Sequence, residues 1–272
     1  MALIVGTAAG IAVGLMYAIR LRARVDYFFI EVERGAGTFA FIGTAYAVLL
    51  AFVVLEAFQS FNDAKIGAED EAITVVQMSR TSEFFPAAER PPFQGALICY
   101  GRAVIHEEWP AMKEGARSAI VQHWVNRLQE GLHRLHPRTH AQQAAFLQLL
   151  GQQDKRTDAR RARLTEANRA LPAPIWFILG LGAFVTIGFA MFFVDRREHF
   201  IVQGSLIAAI TALVVSGLLL IWFLDHPYEN QTGSIKPDEM ERQLVIVEKE
   251  QASVPQPCDA QGHPLDQTGQ AP

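Results

Sequence analysis

The chain has 272 residues, half of them apolar and only 19% charged, with a formal net charge of −4. Typical soluble domains carry about 25% charged residues, and here four long apolar stretches together hold a single charged residue, Glu56. A soluble enzyme, a nucleic-acid-binding protein and a secreted disulfide scaffold are thereby excluded as descriptions of the whole chain.

The four stretches are 2–19, 36–58, 172–194 and 200–224. A bilayer core about 30 Å thick needs roughly 17–25 apolar residues of helix, and each stretch falls in that window. The fold class is therefore all-α: a multi-pass membrane protein with four transmembrane helices, its two pairs (1–58 and 172–224) flanking an insert at 59–171. The first stretch reads as a retained span, because Arg20, Arg22 and Arg24 follow the apolar run, whereas a cleavable signal has its positive charge in front.

Within span one, Ala2, Gly6, Gly10, Gly14 and Ala18 form a stripe of small residues at every fourth position. Span two has Gly43, Ala47 and Ala51, span three Gly182, Thr186 and Ala190, and span four Gly204, Ala208, Ala212 and Ser216. Lipid tails are as apolar as leucine, so membrane helices associate through close backbone approach at such residues. The stripes predict a tightly packed bundle and a chain that also packs against copies of itself. Elsewhere on span two, Phe41, Val48, Phe52 and Leu55 make an apolar, partly aromatic stripe. Such a stripe faces lipid, faces the bundle core, or forms a constriction that gates by dewetting. Glu56 lies about 20 residues into the span, about 30 Å along at 1.5 Å per residue, and reads as an interfacial carboxylate rather than a buried relay.

The insert reads as helical almost throughout. Phe93, Leu97, Tyr100 and Val104 make one stripe, and Ile120, Trp124, Leu128, Leu132 and Leu135 a second. Phe146, Leu149, Leu150, Leu164 and Leu171 suggest a third. Breaks are expected at Pro86, Pro91-Pro92, Pro110 and Pro137. Span two has no breaker before Phe85 and is expected to run on out of the membrane. Likewise, 139–171 is expected to run into span three, with Pro172 at the join. After span four, 225–251 reads as a short helical tail, with an amphipathic helix from Pro237 to Gln251. The last segment, 252–272, is rich in Pro, Gln and Gly and poor in apolar residues, so disorder is expected.

Chemical motifs are sparse. His133, His136 and His140 have ligand-like spacing, but Pro137 interrupts the helix that would hold them on one face. His106-Glu107-Glu108 lacks the second histidine of a zincin helix. Cys99 and Cys258 form no CxxC and support neither a zinc site nor a disulfide framework. No cofactor, metal or catalytic residue is expected. A basic run, Lys155, Arg156, Arg160, Arg161, Arg163 and Arg169, leads into span three. As a solvated face it is unremarked surface; as a functional one, Arg160, Arg161 and Arg163 would attract anions or lipid headgroups.

Scattered family-type motifs tie these parts together. They are 43–52 (GTAYAVLLAF) in span two, Tyr100 and Glu107-Glu108-Trp109-Pro110 with Met112 and Gly115, Ala159-Arg160 with Arg163-Leu164, and Leu171-Pro172 with Ile175-Trp176. Leu224-Asp225-His226-Pro227-Tyr228, Gly233-Ser234-Ile235 and Pro237 follow span four. In these motifs the chain resembles the bestrophin-like family of bacterial membrane proteins, over most of residues 35–240. The resemblance implies a bestrophin layout: a pentameric anion channel whose pore is lined by the second span and continued by soluble helices. It departs at Phe58 and Phe61, where relatives carry a Trp and a Tyr three residues apart, and no calcium-binding or gating motif of bestrophins can be placed on it.

The expected function is thus an oligomeric anion channel of the bacterial inner membrane, with the lipid bilayer, further copies of the chain and anions such as chloride as partners, and no nucleic acid. Phe41, Val48, Phe52 and Leu55 are its pore-lining candidates. The alternative, of a different class, is a non-conducting scaffold or sensor whose helical insert binds a partner. Orientation is contested within the sequence. Arg20, Arg22, Arg24, Arg34, Arg196 and Arg197 would hold both short loops in the cytoplasm and both termini outside. The basic run before span three argues the reverse, as does the resemblance, since bestrophins keep their soluble helices cytosolic. The short loops weigh more, and the sequence leans to termini outside.

Overall fold

The computed structural model describes residues 1–22, 32–167, 171–193, 198–229 and 231–265. Arg24, Arg169, Arg196 and Arg197, and the last part of the tail, 266–272, lie outside the described residues. Nine α-helices are described: α1 Ala2–Arg22, α2 Val32–Ser82, α3 Pro91–Ala103, α4 Trp109–Lys113, α5 Ala119–His133, α6 His140–Glu166, α7 Ala173–Met191, α8 Phe200–Leu224 and α9 Asp238–Glu250. A π-helical turn, Val104–Glu108, joins α3 to α4. Four of the helices are long and apolar enough to cross a membrane, and no β-strand is found among the described residues. The chain divides into two compact units, Met1–Ser60 with Ala170–Asp225 and Phe61–Arg169 with His226–Pro272.

In the first unit α1 packs on α8 through Ala12 and Met16, which meet Ile207, Ala190 and Met191. Span two enters through Tyr46, which packs with Ala183 and Val214. Its hydroxyl donates to the Leu179 carbonyl at 3.1 Å. A Cβ added at Gly182 would sit 2.4 Å from the Tyr46 ring, and one at Gly217 would sit 2.8 Å from the Leu50 side chain. These are the small residues that let helices of this chain approach. The predicted stripe is not: nothing of the chain lies within 4 Å of a Cβ built at Gly6, Gly10, Gly14 or Gly43, and Ala47 and Ala51 are exposed. Within one chain none of the six is packed against another helix: α1 turns Ala12 and Met16 inward instead, and α2 turns Tyr46, Val53 and Ala57.

Helix α2 runs unbroken from Val32 to Ser82, so the predicted extension beyond span two is present. The predicted run of 139–171 into span three is not. Helix α6 ends at Glu166, and Pro172 is an extended residue before α7. At its start, Thr139 and Gln142 make a reciprocal capping box.

The second unit is built around α3, buried on nearly every side. Phe93, Leu97, Tyr100 and Val104 are all fully buried, with Trp124, Leu128 and Leu132 of α5 and Leu149 of α6 in the same core. Helix α9 covers another side, with Leu244 and Val247 against Val76 and Ile98. Pro110 does not break the helix as expected. Proline has no N–H to give the carbonyl four residues back, and the turn before it is widened, so that Trp109 N–H bonds to the Val104 carbonyl five residues earlier. The break comes at Gly115, whose φ of 68° closes the helix in a conformation that suits glycine.

Two expectations fail in the tail. Residues 252–265 are not disordered: they form a hairpin-like loop, with a bridge between Cys258 and Pro264, seated on α3 and α5. Cys99 and Cys258 are joined in a disulfide with their Cα atoms 5.8 Å apart. Composition predicts few apolar contacts for such a segment, but the tail is held by its backbone and by that bond. The Gly262 carbonyl accepts from Trp124 Nε1 at 2.7 Å and the Asp259 carbonyl from Arg102 at 3.1 Å. Gly262 has φ 89° and lies so close to the Ala103 backbone that a Cβ would fall 2.4 Å from its nitrogen.

Candidate functional site

Two arrangements stand out, one in each unit. On α2, Phe41, Val48, Phe52 and Leu55 are 76%, 50%, 68% and 53% exposed in the single chain. At 100° per residue they fall within a narrow stripe. The residues of this span that pack inward, Tyr46, Leu50, Val53 and Ala57, lie on roughly the opposite side. The bare stripe is thus the face farthest from the rest of the chain's own span contacts. Glu56 is exposed as well.

In the insert, charges are gathered where apolar residues would be expected. Arg163 is fully buried and forms ion pairs with two buried carboxylates, Glu71 at 2.6 Å and Glu108 at 2.6 Å. Arg160 adds a two-pronged contact to the same Glu108, at 3.1 and 2.5 Å, and reaches Gln122 at 3.2 Å. The Tyr100 hydroxyl donates to Glu71. The Arg163 guanidinium lies over the Trp109 ring at 5.1 Å, and Arg156, also buried, over Tyr100 at 4.8 Å. Burial pushes the Glu108 carboxyl up, but hydrogen bonds and charge from Arg160 and Arg163 outweigh it and hold it below its ordinary value. For Arg163 burial acts downward, and the charges of Glu71 and Glu108 hold its pKa above the usual range. The Tyr100 hydroxyl is raised, first by burial and then by Glu71. Arg160 and Arg163 are paired with Glu71 and Glu108 between them, whereas Arg156 has no carboxylate partner and bonds to Gln153 and Thr157; the set is suited to bracing α2, the π-turn and α6 against one another, and it presents no exposed nucleophile or base.

The anion-attracting role expected of Arg160 and Arg163 is therefore corrected. Arg163 is wholly buried and committed to Glu71 and Glu108, and Arg160, nearly so, is committed to Glu108. Arg161 alone of the three is on the surface, 3.6 Å from Asp158. His133, His136 and His140 are exposed, and no group of three or more potential metal ligands is assembled among the described residues.

Several quoted motif residues converge. Trp109 donates to the Ile235 carbonyl at 3.4 Å and meets Tyr228 edge-on at 5.6 Å. In the other unit Asp225, capping α8, accepts from Leu171 N–H at 2.9 Å and from Trp176 Nε1 at 3.3 Å. Glu71 and the disulfide were missed by sequence reasoning. Glu71 carried one faint signal, a charge inside an otherwise small and apolar face, Ala64-Ala68-Ala72-Val75. The cysteines carried one too, being the only two in the chain. A cavity of about 390 Å³ lies within the insert unit, lined by Phe61, Lys65, Trp109, Ile235, Met240 and Arg242 among others.

The model of the bestrophin-like domain matches residues 5–237, and the chain belongs to that family. It is a membrane protein of the bestrophin type. Solved structures of a bacterial bestrophin homologue from Klebsiella pneumoniae share the fold. One single-substitution variant gives a TM-score of 0.67 at 14% identity over 91% of this chain and 97% of the other. A second gives 0.65 at 14% identity, over 90% and 96%. A structure described as a membrane protein gives 0.66 at 14%, over 90% and 96%. No curated protein matches the chain.

Proposed function

We propose that the protein is an oligomeric, anion-conducting channel of the bacterial inner membrane in which copies of α2 surround a common axis. Phe41, Val48, Phe52 and Leu55 then form an apolar throat. The supporting observation is the bare stripe on α2, opposite the residues with which that helix packs into its own chain. Large apolar groups facing lipid need no further account, but membership of the bestrophin-like family favours the axis for this helix. The unpartnered small residues Gly6, Gly10, Gly14, Gly43, Ala47 and Ala51 supply faces on which neighbouring copies can pack closely. An apolar throat offers ions no fixed ligands and conducts only when wide enough to stay wet. Phe52→Ser, which is smaller and polar, should raise conductance of the purified protein in planar bilayers or hold it open. Unchanged current and unchanged leak from liposomes, with the protein folded and oligomeric, would remove α2 from the pore. Arg161, exposed, is the residue left to favour anions; Arg161→Gln should lower anion over cation permeability modestly.

One observation favours a second reading. The 390 Å³ cavity, with Trp109 and Ile235 beside Lys65 and Arg242, has the size and mixed lining of a small-molecule site. In a non-conducting sensor the insert would bind its partner or ligand there, and Phe52→Ser would be silent.

A further inference from the structure

We propose that the Cys99–Cys258 disulfide is a redox-controlled latch on the tail. Oxidation closes it and holds residues 252–265 on α3 and α5; reduction opens it and lets that segment leave. The latch requires nothing of the pore and stands whether or not the protein conducts.

The chain has only two cysteines, 159 residues apart, and both are committed to this bond. The insert follows span two and the tail follows span four, so four spans place both on one side. Membership of the bestrophin-like family favours the cytoplasm for that side, against the lean of the short arginine-bearing loops. Thiols there are kept reduced, and the disulfides that do form are transient and redox-sensing. A bond in that compartment is a state of the protein rather than a fixture.

The two sulfurs are not equivalent. Cys99 is fully buried in α3, whereas Cys258 belongs to the tail loop laid over it. Arg102 Nη1 stands 3.9 Å from the Cys258 sulfur, and the side chain is held there by Glu248 at 2.7 Å and by the Asp259 carbonyl at 3.1 Å. A guanidinium in that place stabilises negative charge on the sulfur once the bond is open, which makes Cys258 the nucleophile. Closure then runs in two exchanges. The Cys258 thiolate attacks one sulfur of a small-molecule disulfide, such as oxidised glutathione, and expels one thiolate. Cys99 gives up its proton to solvent and attacks the Cys258 sulfur, expelling the second. The chain loses two electrons as its two sulfurs bond, and the small disulfide is reduced to two thiols. Opening is the reverse, with a small thiol attacking Cys258.

The tail is built to leave. Residues 252–265 bring few apolar side chains to the core, so the hydrophobic effect gives little to hold them. They dock by backbone fit: a Cβ at Gly95 would fall 2.5 Å from the Pro255 carbonyl oxygen, and Gly262 touches Ala103. A covalent tie removes freedom from the undocked segment, so opening it raises the undocked population. Undocking also takes His263 away from Glu107. Glu107 lies in the π-turn that carries Glu108, the partner of Arg160 and Arg163, so the latch bears directly on the buried ion pairs.

The test uses the full-length protein in a bacterial inner membrane. Cells quenched with acid and alkylated with polyethylene-glycol maleimide should show two free thiols during growth, none after brief diamide treatment, and two again once diamide is removed. A bond closed throughout would be a permanent staple and would overturn the latch. Two free thiols under diamide would mean that the sulfurs do not pair. In the purified protein, amide exchange of 252–265 should be at least about tenfold faster after reduction, and equally fast in Cys258→Ser with or without reductant. Equal exchange in oxidised and reduced wild type would show that the bond holds nothing. Oxidised glutathione should add one glutathione, read by intact mass, to Cys99→Ser and none to Cys258→Ser. The reverse would overturn Cys258 as the sulfur through which exchange enters.

Discussion

The two units of this chain treat burial in opposite ways. In the transmembrane unit many large apolar side chains point outward, with Phe41, Phe184 and Leu213 each about three-quarters exposed, and its helices meet through a few side chains such as Met16, Tyr46, Ile207 and Val214 and through close approaches at Gly182 and Gly217. In the insert the deepest positions include Arg156, Arg163, Glu71 and Glu108. The surroundings explain the inversion. In lipid, exposing a leucine costs nothing and packing must come from close fit. In water, burying apolar surface drives folding at about 25 cal/mol per Å², and a core so driven can accommodate charges if every one is paired. Buried ion pairs are poor sources of net stability but severe liabilities when half removed.

That contrast can be broken at Arg163. Arg163→Ala leaves Glu71 buried with no ion pair and Glu108 with Arg160 alone. The insert should lose about 3–5 kcal/mol, read as a lowered midpoint in chemical denaturation of the detergent-solubilised protein. A loss below about 1 kcal/mol would show that water enters and relieves the network. Arg163→Met combined with Glu71→Met should recover much of the loss, since apolar replacement of a buried pair is often close to neutral.

A pair of glycines sharpens it. A Cβ at Gly67, on the insert part of α2, would meet the Ala159 carbonyl oxygen at 3.0 Å and Ala162 at 3.2 Å. Gly67→Val should cost about 1–3 kcal/mol by overpacking, in any oligomeric state. Gly10→Leu in α1 meets nothing within its own chain, so monomer stability should be unaffected and only the assembly weakened. Size-exclusion chromatography in mild detergent separates the two outcomes. An unchanged oligomer would assign that stripe to lipid.

The smallest effect concerns His263, which bridges the tail loop and the π-turn, 3.0 Å from Asp259 and 3.0 Å from Glu107. The hydrogen bond to Asp259 and the charges of Asp259 and Glu107 outweigh burial and raise its pKa. A group whose pKa is raised by folding contributes below its ordinary value and loses that contribution as pH climbs through the raised one. The wild type should therefore lose its small advantage over His263→Gln as pH rises above the ordinary histidine value of about 6.5. Parallel melting curves across that range would mean that the imidazole is neutral in the fold.

Much of the architecture was legible because lipid imposes an unusually plain code. The four long apolar helices, the long extension of α2, the stripes on α3 and α5 and the helix after Pro237 all follow from apolar periodicity and prolines. What stayed hidden was set by distant pairing. Glu71 and Arg163 are 92 residues apart, so nothing in either neighbourhood announces that they neutralise each other, and a basic run looked like a solvated face. The tail was misread because composition reports side-chain burial and is blind to backbone docking and to a cross-link. The motif residues Tyr100, Glu108, Trp109, Arg160 and Arg163 were noticed as a family pattern with no chemistry attached; their common purpose emerges only when they converge in space. The apolar stripe of α2 was visible, and its exposure in the single chain is the part that the fold adds.

The π-turn at Val104–Glu108 fixes the length of this part of the chain. A turn of five hydrogen-bonded residues in place of four amounts to one inserted residue, and one residue is about 100° of rotation. Everything downstream is phased by it: Glu108 reaches Arg160 and Arg163, and Trp109 covers Arg163, only with that extra residue in place. Removal of any single residue from 104–107 would restore an ordinary helix and swing the carboxylate and the indole away from their partners, even if every remaining side chain were kept. The segment from Pro91 to Lys113 is therefore constrained in number as well as in the side chains that it buries.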